Sequence, residues 1–149
     1  MDALDYKILS FLKENSRSNA TTIGAAINLS TSAVIERIKK LESTGVLKKY
    51  TVLLDHKQLG RGLTAFIYVR LDHPKYYENF VEEINKNSSV AECYYIAGDF
   101  DFILKVMTRT DNTLEDVLNS VKSIEGVSLT RTSVVLSTNK YDICLLENK

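Results

Sequence analysis

Short polar and basic side chains cluster between residues 30 and 40, in a pattern that suits contact with duplex DNA. Ser30 is a good N-cap for a helix running from Thr31 to Thr44 and ending at Gly45. With its apolar residues inward, this helix presents hydroxyl groups near its start and lysines farther along. Small polar groups approach base edges, and lysines suit phosphate oxygens. The predicted DNA contacts are Ser30, Thr31, Ser32, Ala33, Ile35, Glu36, Arg37, Lys39 and Lys40.

Two alternatives remain open for this helix. Arg37 lies closer to the buried side, so it can either reach the DNA backbone or brace the fold. An ordinary helical hairpin would leave the same lysines on a solvated face. The caps, the turn and the basic outer side together favour DNA binding, because this combination outlines a docking motif.

A second group of chemically capable residues surrounds Gly98. A glycine permits a backbone turn that leaves neighbouring N–H groups open to a carboxylate. Asp99 and Asp101 would point to the same side of an extended segment, where they could hold an ammonium group. Thr130 and Thr132, on an adjacent predicted strand, would add hydroxyl groups. The alternative is a plain turn with solvated carboxylates, which the residues taken alone favour.

The helix after Ser30 needs a frame that buries its inner side. Apolar residues recur at helical spacing from Leu4 to about residue 15, and a second pattern covers residues 21–27. The polar turn at 28–30 joins this second helix to the third. This arrangement predicts a helix-turn-helix DNA reader over residues 1–50.

The segment after Gly45 predicts a connection between two domains. Residues 46–54 have the pattern of a wing or hinge strand, where Lys48 and Lys49 either touch DNA or keep an edge strand soluble. The glycines at 60 and 62 indicate a flexible joint. We therefore expect a hinge strand and linker over 51–62 and a C-terminal domain over 63–149.

The C-terminal domain changes its hydrophobic period several times. Strand patterns cover 65–71, 90–96, 102–107 and 128–136, and helix patterns begin at Pro74 and near Leu114. The βαββαβ order is that of a ferredoxin-like fold, and residues 141–146 are predicted as a short fifth strand. The predicted fold class is α+β, with a winged-helix-like N-terminal domain.

A ferredoxin-like sheet has helices on one face only. Phe66 and Tyr68 alternate with the aliphatic residues of the first strand, so we expect them on the bare face. Aromatic side chains on a bare face favour burial against a partner, most simply a second copy of the chain. Phe66 and Tyr68 are therefore predicted in an oligomer interface.

Charge is distributed unevenly along the chain. The formal net charge is +0, but residues 1–60 carry nine Lys and Arg against six Asp and Glu, and residues 61–149 carry ten against thirteen. The basic excess coincides with the helix-turn-helix, as phosphate binding requires. Because this excess is modest, a dimer would strengthen binding by doubling the phosphate contacts.

Other chemistries find little support in the sequence. Cys93 and Cys144 lie in strand-like patterns, which predicts buried free thiols in a reducing cytosol. His56 and His73 have no neighbours at metal-ligand spacing, and no nucleophile–base pair or phosphate-binding loop points to an enzyme. We expect no metal and no cofactor. Without a signal peptide or a membrane-spanning run, a cytoplasmic location is expected.

Several segments together resemble the Lrp/AsnC family, the feast/famine transcription regulators. They are residues 4–9, 29–42 and 45–47, the Gly-Asp-Phe-Asp segment within 96–102, and residues 126–132 with their Thr-Arg-Thr. The last two segments are fairly specific when found together. One departure is the segment 133–138, Ser-Val-Val-Leu-Ser-Thr, where many members have a glutamate-rich strand end.

The resemblance implies a cytoplasmic regulator that binds its own and other promoters as dimers, often assembled into octamers. It also implies a C-terminal domain that assembles the oligomer and binds an amino acid between subunits. The expected effector site is Gly98, Asp99, Phe100, Asp101, Thr130 and Thr132. The leading hypothesis is a sequence-specific regulator tuned by a small amino acid, and the alternative is an architectural protein that wraps DNA without a ligand.

Overall fold

The computed structural model describes residues 1–146, and the chain forms two compact units. The first, here called the helical unit, contains residues 1–53 together with 140–146. The second, the sheet unit, contains residues 54–139. The chain therefore runs from the helical unit into the sheet unit and back again. Residues 147–149 of the predicted C-terminal domain lie outside the described residues.

Three helices build the helical unit: α1 (Ala3–Glu14), α2 (Ala20–Ile27) and α3 (Thr31–Ser43). Each follows a residue whose side chain accepts hydrogen bonds from the first turn, namely Asp2, Asn19 and Ser30. The apolar sides of the helices meet in one core, whose buried members are Ile8, Leu9, Leu12, Ile23, Ile27, Val34 and Leu41. The predicted helix-turn-helix is confirmed.

The turn between α2 and α3 requires a glycine at position 24. A Cβ on Gly24 would lie 2.5 Å from the carbonyl oxygen of Leu29, well inside van der Waals contact. The Leu29 N–H donates to the Gly24 carbonyl at 2.9 Å, which closes the turn. Asn28 reverses the chain direction in the left-handed region, with φ of 57°. Close backbone approach thus fixes this turn.

The segment after α3 is not the strand predicted for residues 46–54. Leu47 packs against the helical core, and its N–H donates to the Leu41 carbonyl at 2.9 Å. From residue 48 to 62 the chain contains no helix or strand, and Val52 is 74% exposed. An extended segment becomes a strand only beside a neighbouring strand, and the described chain supplies none here. No wing or hinge strand forms within the single described chain, and the hinge strand and linker over 51–62 stay a prediction.

The sheet unit contains four strands and two α-helices, in the order β1 (Leu63–Leu71), α4 (Tyr77–Lys86), β2 (Val90–Tyr95), β3 (Phe102–Thr108), α5 (Asp111–Lys122) and β4 (Val127–Val134). A short 3-10 helix, Pro74–Tyr76, precedes α4. The strand order is β2-β3-β1-β4, and all neighbouring strands are antiparallel. This is the ferredoxin-like fold, so the predicted α+β class is confirmed.

Strand β1 divides its residues between the two faces of the sheet. Ala65, Ile67 and Val69 are buried in a core to which both α4 and α5 contribute. Phe66 and Tyr68 alternate with them and are half-buried on the opposite face. We call this opposite side the open sheet face.

Residues 140–146 belong to the helical unit and contain no strand. The Lys13 ammonium group donates to the Asp142 carboxylate at 2.8 Å, and Leu146 packs against the helical core. The predicted fifth strand over 141–146 was wrong, because the segment pairs with no strand of the described chain and Leu146 packs against the helices instead. Cys144 is consequently exposed rather than buried, whereas Cys93 is half-buried in β2.

Candidate DNA interface and effector site

The outer side of α3 is exposed to solvent. Its exposed residues are Thr31, Ser32, Ile35, Glu36, Lys39 and Lys40. Ser30 Oγ accepts a hydrogen bond from the N–H of the half-buried Ala33 at 3.2 Å, so Ser30 caps the helix. Among residues 1–146, neither Lys39 nor Lys40 forms an ion pair, which leaves both ammonium groups available to phosphate oxygens.

Lys48 and Lys49 are exposed in the irregular segment that follows α3. Leu47 anchors this segment to the helical core, and the Tyr50 hydroxyl donates to Glu42 of α3 at 3.1 Å. The two lysines lie between these attachments, in a segment held to the same unit as α3. Their predicted DNA contact therefore does not depend on a wing strand.

Arg37 joins α3 to the start of α1. Its Nη1 lies 2.8 Å from Asp2 Oδ2 and 2.7 Å from Asp5 Oδ1. Asp5 is buried, and it also accepts a hydrogen bond from the Asp2 N–H at 2.9 Å. These charge-assisted bonds hold the guanidinium within the helical unit. Of the two alternatives for Arg37, the structure shows the bracing role and gives no support to the DNA contact.

This network lowers the pKa of both carboxyl groups. Burial alone would raise the pKa of Asp5, but hydrogen bonds from the Asp2 N–H and from Arg37 outweigh it. The pKa of Asp2 is lowered chiefly by the Asp5 N–H and then by Arg37. The Asp5 and Asp2 carboxylates in turn raise the pKa of Arg37. All three groups are therefore charged at neutral pH.

The loop between β2 and β3 contains the predicted effector residues. Gly98 has a φ of 142°, a conformation that L side chains rarely adopt. The Ile96 N–H donates to the Asp101 carbonyl at 2.8 Å and closes the loop. Within residues 1–146, the N–H groups of Gly98, Asp99 and Phe100 donate no hydrogen bond, so they remain open to an anion.

The two carboxylates of this loop are not equivalent. Asp101 Oδ2 accepts a hydrogen bond from the Leu71 N–H at 2.7 Å, which commits it to the link between the loop and β1. The Asp99 carboxylate has no hydrogen-bond partner in the described chain, although its carbonyl oxygen accepts from Arg70 Nε at 2.8 Å. The predicted pair thus reduces to one available carboxylate, that of Asp99.

The structure does not bring Thr130 and Thr132 to the same face as Phe100. On β4 they lie opposite Val69 and Ile67, whose side chains face the helices. The Phe100 ring lies 5.6 Å from the Tyr68 ring, whose side chain belongs to the open sheet face. Alternation along the strands separates the two sets of residues.

Sequence reasoning missed two arginines beside Phe100. The Arg131 guanidinium lies 4.7 Å from the Tyr68 ring centre and 5.1 Å from that of Phe100. Arg70 lies 5.5 Å from the Phe100 ring centre. Such distances allow cation–π attraction. Arg131 could have been found, because its position between two threonines of one strand places it on the opposite face.

A cleft of about 290 Å³ opens beside Asp101. Its lining is mostly apolar and aromatic: Leu71, Pro74, Tyr77, Tyr95 and Asp101. The rings of Tyr77 and Tyr95 meet edge to face, with centroids 5.1 Å apart. A larger cleft of about 400 Å³ between α4 and α5 contains none of the predicted effector residues.

Both units match domains of one family. Residues 1–42 match the AsnC-type helix-turn-helix domain, and residues 64–143 match the Lrp/AsnC ligand binding domain. The chain belongs to the Lrp/AsnC family. It is 34% identical to the HTH-type transcriptional regulator FL11 of Pyrococcus horikoshii, over 94% of this chain and 92% of that protein.

Solved structures of other Lrp/AsnC proteins share this fold along nearly the whole chain. The transcriptional regulator NMB0573 of Neisseria meningitidis, solved as a complex with L-Met, is 31% identical with a TM-score of 0.93, over 99% of this chain and 97% of that one. AsnC of E. coli is 26% identical with a TM-score of 0.91, over 97% of both chains. This Lrp/AsnC chain is therefore a helix-turn-helix transcriptional regulator and not an enzyme.

The remaining titratable residues do not form a further centre in the part of the chain that is described. No three His, Cys, Asp or Glu side chains within residues 1–146 are grouped so that they could hold a metal ion. His73 instead caps the 3-10 helix, where its Nδ1 accepts from the Lys75 N–H at 3.1 Å. None of the described helices has the length and apolar character needed to cross a membrane.

Proposed function

We propose that this Lrp/AsnC regulator reads a specific DNA sequence as a homodimer or larger oligomer in the cytoplasm, and that a small amino acid controls its assembly. The observation that carries the proposal is the outer side of α3. There Lys39 and Lys40 are exposed and unpaired in the described chain, while the nearby Arg37 is held by carboxylates. Arg37 thus stabilises the fold, whereas Lys39 and Lys40 are available to phosphate groups.

The order of groups along α3 supports sequence reading. Thr31 and Ser32 stand at the N-terminal end, where helix-turn-helix proteins contact base edges. The lysines follow about two turns later, where phosphate contacts fix the position of the helix in the groove. A dimer would present two such helices to two half-sites separated by one turn of DNA.

Replacing Lys39 and Lys40 with Ala tests the DNA interface. Each lysine that contacts phosphate steepens the decline of log K with log salt concentration by about one. The variant should therefore show a decline that is shallower by up to about two. The matched control replaces two exposed lysines of the sheet unit, Lys57 and Lys122, and should keep the slope. An unchanged slope in the α3 variant would remove this side of the helix from the interface.

Footprinting tests the sequence-specific part of the proposal. Short protected regions in phase with the DNA helix are expected for a dimer on paired half-sites. Long periodic protections with little sequence preference would contradict it and favour the architectural alternative.

The effector part of the proposal rests on the loop around Gly98. Its open N–H groups suit the carboxylate of an amino acid, and the unpaired Asp99 carboxylate suits the ammonium group. The cleft beside Asp101 would accept an apolar side chain, since Leu71, Pro74 and two tyrosines line it. The L-Met complex of NMB0573 supports an apolar amino acid as the ligand class.

A thermal-shift screen against the common amino acids tests this effector site. A ligand that binds the native state raises the unfolding temperature as its concentration exceeds Kd. Asp99→Asn should abolish the shift, whereas Asp72→Asn, at another exposed aspartate of the sheet unit, should preserve it. If no amino acid shifts the wild-type transition and calorimetry shows no heat, the effector proposal fails while the DNA-binding proposal stands.

A further inference from the structure

One apolar side chain stands among the polar residues of the outer side of α3. Ile35 is 42% exposed, and between residues 2 and 45 it is the only exposed large hydrophobic side chain. The inner side of α3 contributes Val34 and Leu41 to the helical core, where both are buried. Ile35 is absent from the helical core, and its exposed side chain is available to a partner outside the unit.

The position of Ile35 places it with the groups that face DNA. It follows Thr31 by four residues and precedes Lys39 by four, so these three side chains share one stripe of the helix. Ser32, three residues before Ile35, borders the same stripe. Ile35 thus lies in the N-terminal half of α3, between hydroxyl groups suited to base edges and a lysine suited to phosphate.

In the major groove, the base edges offer one apolar group, the C5 methyl of thymine. We propose that Ile35 contacts a thymine methyl group and makes thymine the preferred base at one position of each half-site. A β-branched side chain suits this role, because its restricted χ1 leaves little conformational entropy to lose on binding. This inference rests on the proposed sequence-specific DNA binding and assigns one of its specificity determinants.

The test removes the methyl group without changing base pairing. Binding sites are first selected from a random duplex library with the wild-type protein. Each thymine of the selected half-site is then replaced in turn by uracil, and Kd is measured at fixed salt. Loss of one buried methyl contact should weaken binding about fourfold at one thymine per half-site, and leave the other thymines nearly unaffected.

The same measurements on Ile35→Ala complete a double-mutant cycle. This variant should bind the thymine and uracil sites with nearly equal Kd, because the methyl group has lost its partner. Ile143→Ala is the matched control, since Ile143 is also an exposed isoleucine of the helical unit, and it should keep the fourfold preference. Ile35→Thr keeps one methyl group at the same position and should retain part of that preference.

Each outcome decides the inference. A selected site at which every thymine tolerates uracil overturns it, and this result needs only the wild-type protein. A thymine preference that persists in Ile35→Ala also overturns it and assigns the contact to another side chain. If the library yields no enriched sequence, sequence-specific binding itself fails and the inference fails with it.

Discussion

The two units differ in the surface that each leaves without a partner in the single chain. On the helical unit, α3 presents hydroxyls, a glutamate and two lysines without ion pairs in the described chain, with Ile35 as the one exposed large apolar side chain among them. On the sheet unit, the open sheet face presents rings that are half-buried beneath arginines, as Tyr68 is beneath Arg131. Charged flexible groups suit a charged partner, and half-buried rings suit a second protein surface. The comparison supports the proposal that the helical unit contacts DNA and that the sheet unit contacts a second copy of the chain.

The interiors of the two units differ as well. The sheet unit buries one continuous layer between four strands and two helices. The helical unit has a smaller core, supplemented by the Arg37 network and by the returning segment 140–146. Small units bury a lower fraction of their surface, so such additions matter more to them.

The largest expected effect is on assembly. Phe66→Glu places a carboxylate on the open sheet face, where burial against a second copy would be strongly unfavourable. Sedimentation should then show the monomer mass. Asn119→Glu adds the same charge to an exposed position of α5 and should leave the assembly intact. An unchanged mass for Phe66→Glu would mean that the open sheet face does not contact a second copy. The proposed difference between the partners of the two units would then be wrong.

The next largest effect concerns the stability of the helical unit. Gly24→Ala forces a methyl group against the Leu29 carbonyl and should lower the free energy of unfolding by about 2 to 3 kcal/mol. The loss should appear in thermal unfolding and in DNA affinity together. Gly62→Ala meets only the Lys57 side chain at 3.6 Å and serves as the control. Equal stability of the two variants would contradict the close approach in the turn.

A smaller effect tests the returning segment. Leu146 is half-buried against the helical core, so Leu146→Ala should lower the free energy of unfolding by about 1 kcal/mol, below the range for fully buried leucines. Its neighbour Leu145 is 79% exposed, and Leu145→Ala should change little. Chemical denaturation monitored at the helical unit distinguishes the two. If both variants behave alike, the segment does not stabilise the helices.

The smallest expected effect is a pH dependence of the helical unit. The lowered pKa of Asp5 means that the unfolded state binds protons more readily, so the stabilisation is present above about pH 4 and is lost as pH falls through the folded pKa. Arg37→Gln should therefore differ from the wild type in stability at neutral pH, and the difference should shrink in acid. Lys39→Gln, which removes a cation without an ion-pair partner among the described residues, should show no such convergence in denaturation curves.

The comparison also explains which features the sequence could predict. Periodicity identified the helices around Val34 and the alternation around Ile67, because both patterns record burial within the chain. It misassigned residues 141–146, because an apolar stretch does not reveal which element it will contact. Residues 46–54 pair with no strand of the described chain. The ionic partners of Arg37 lie 32 and 35 residues away, a distance that local spacing cannot bridge. For the candidate effector site, the sequence predicted the loop. It did not predict which face of the sheet carries Thr130 and Thr132, since this depends on the register between β1 and β4.

The return of residues 140–146 has a consequence for the order of folding. Lys13 and Asp142 are 129 residues apart in the chain, so their pairing closes a loop that contains the whole sheet unit. During synthesis the three helices and then the sheet unit can form as their residues emerge, whereas segment 140–146 joins the helical unit only at the end. A nascent or truncated chain would thus present the open sheet face before the helical unit gains its last stabilising contacts.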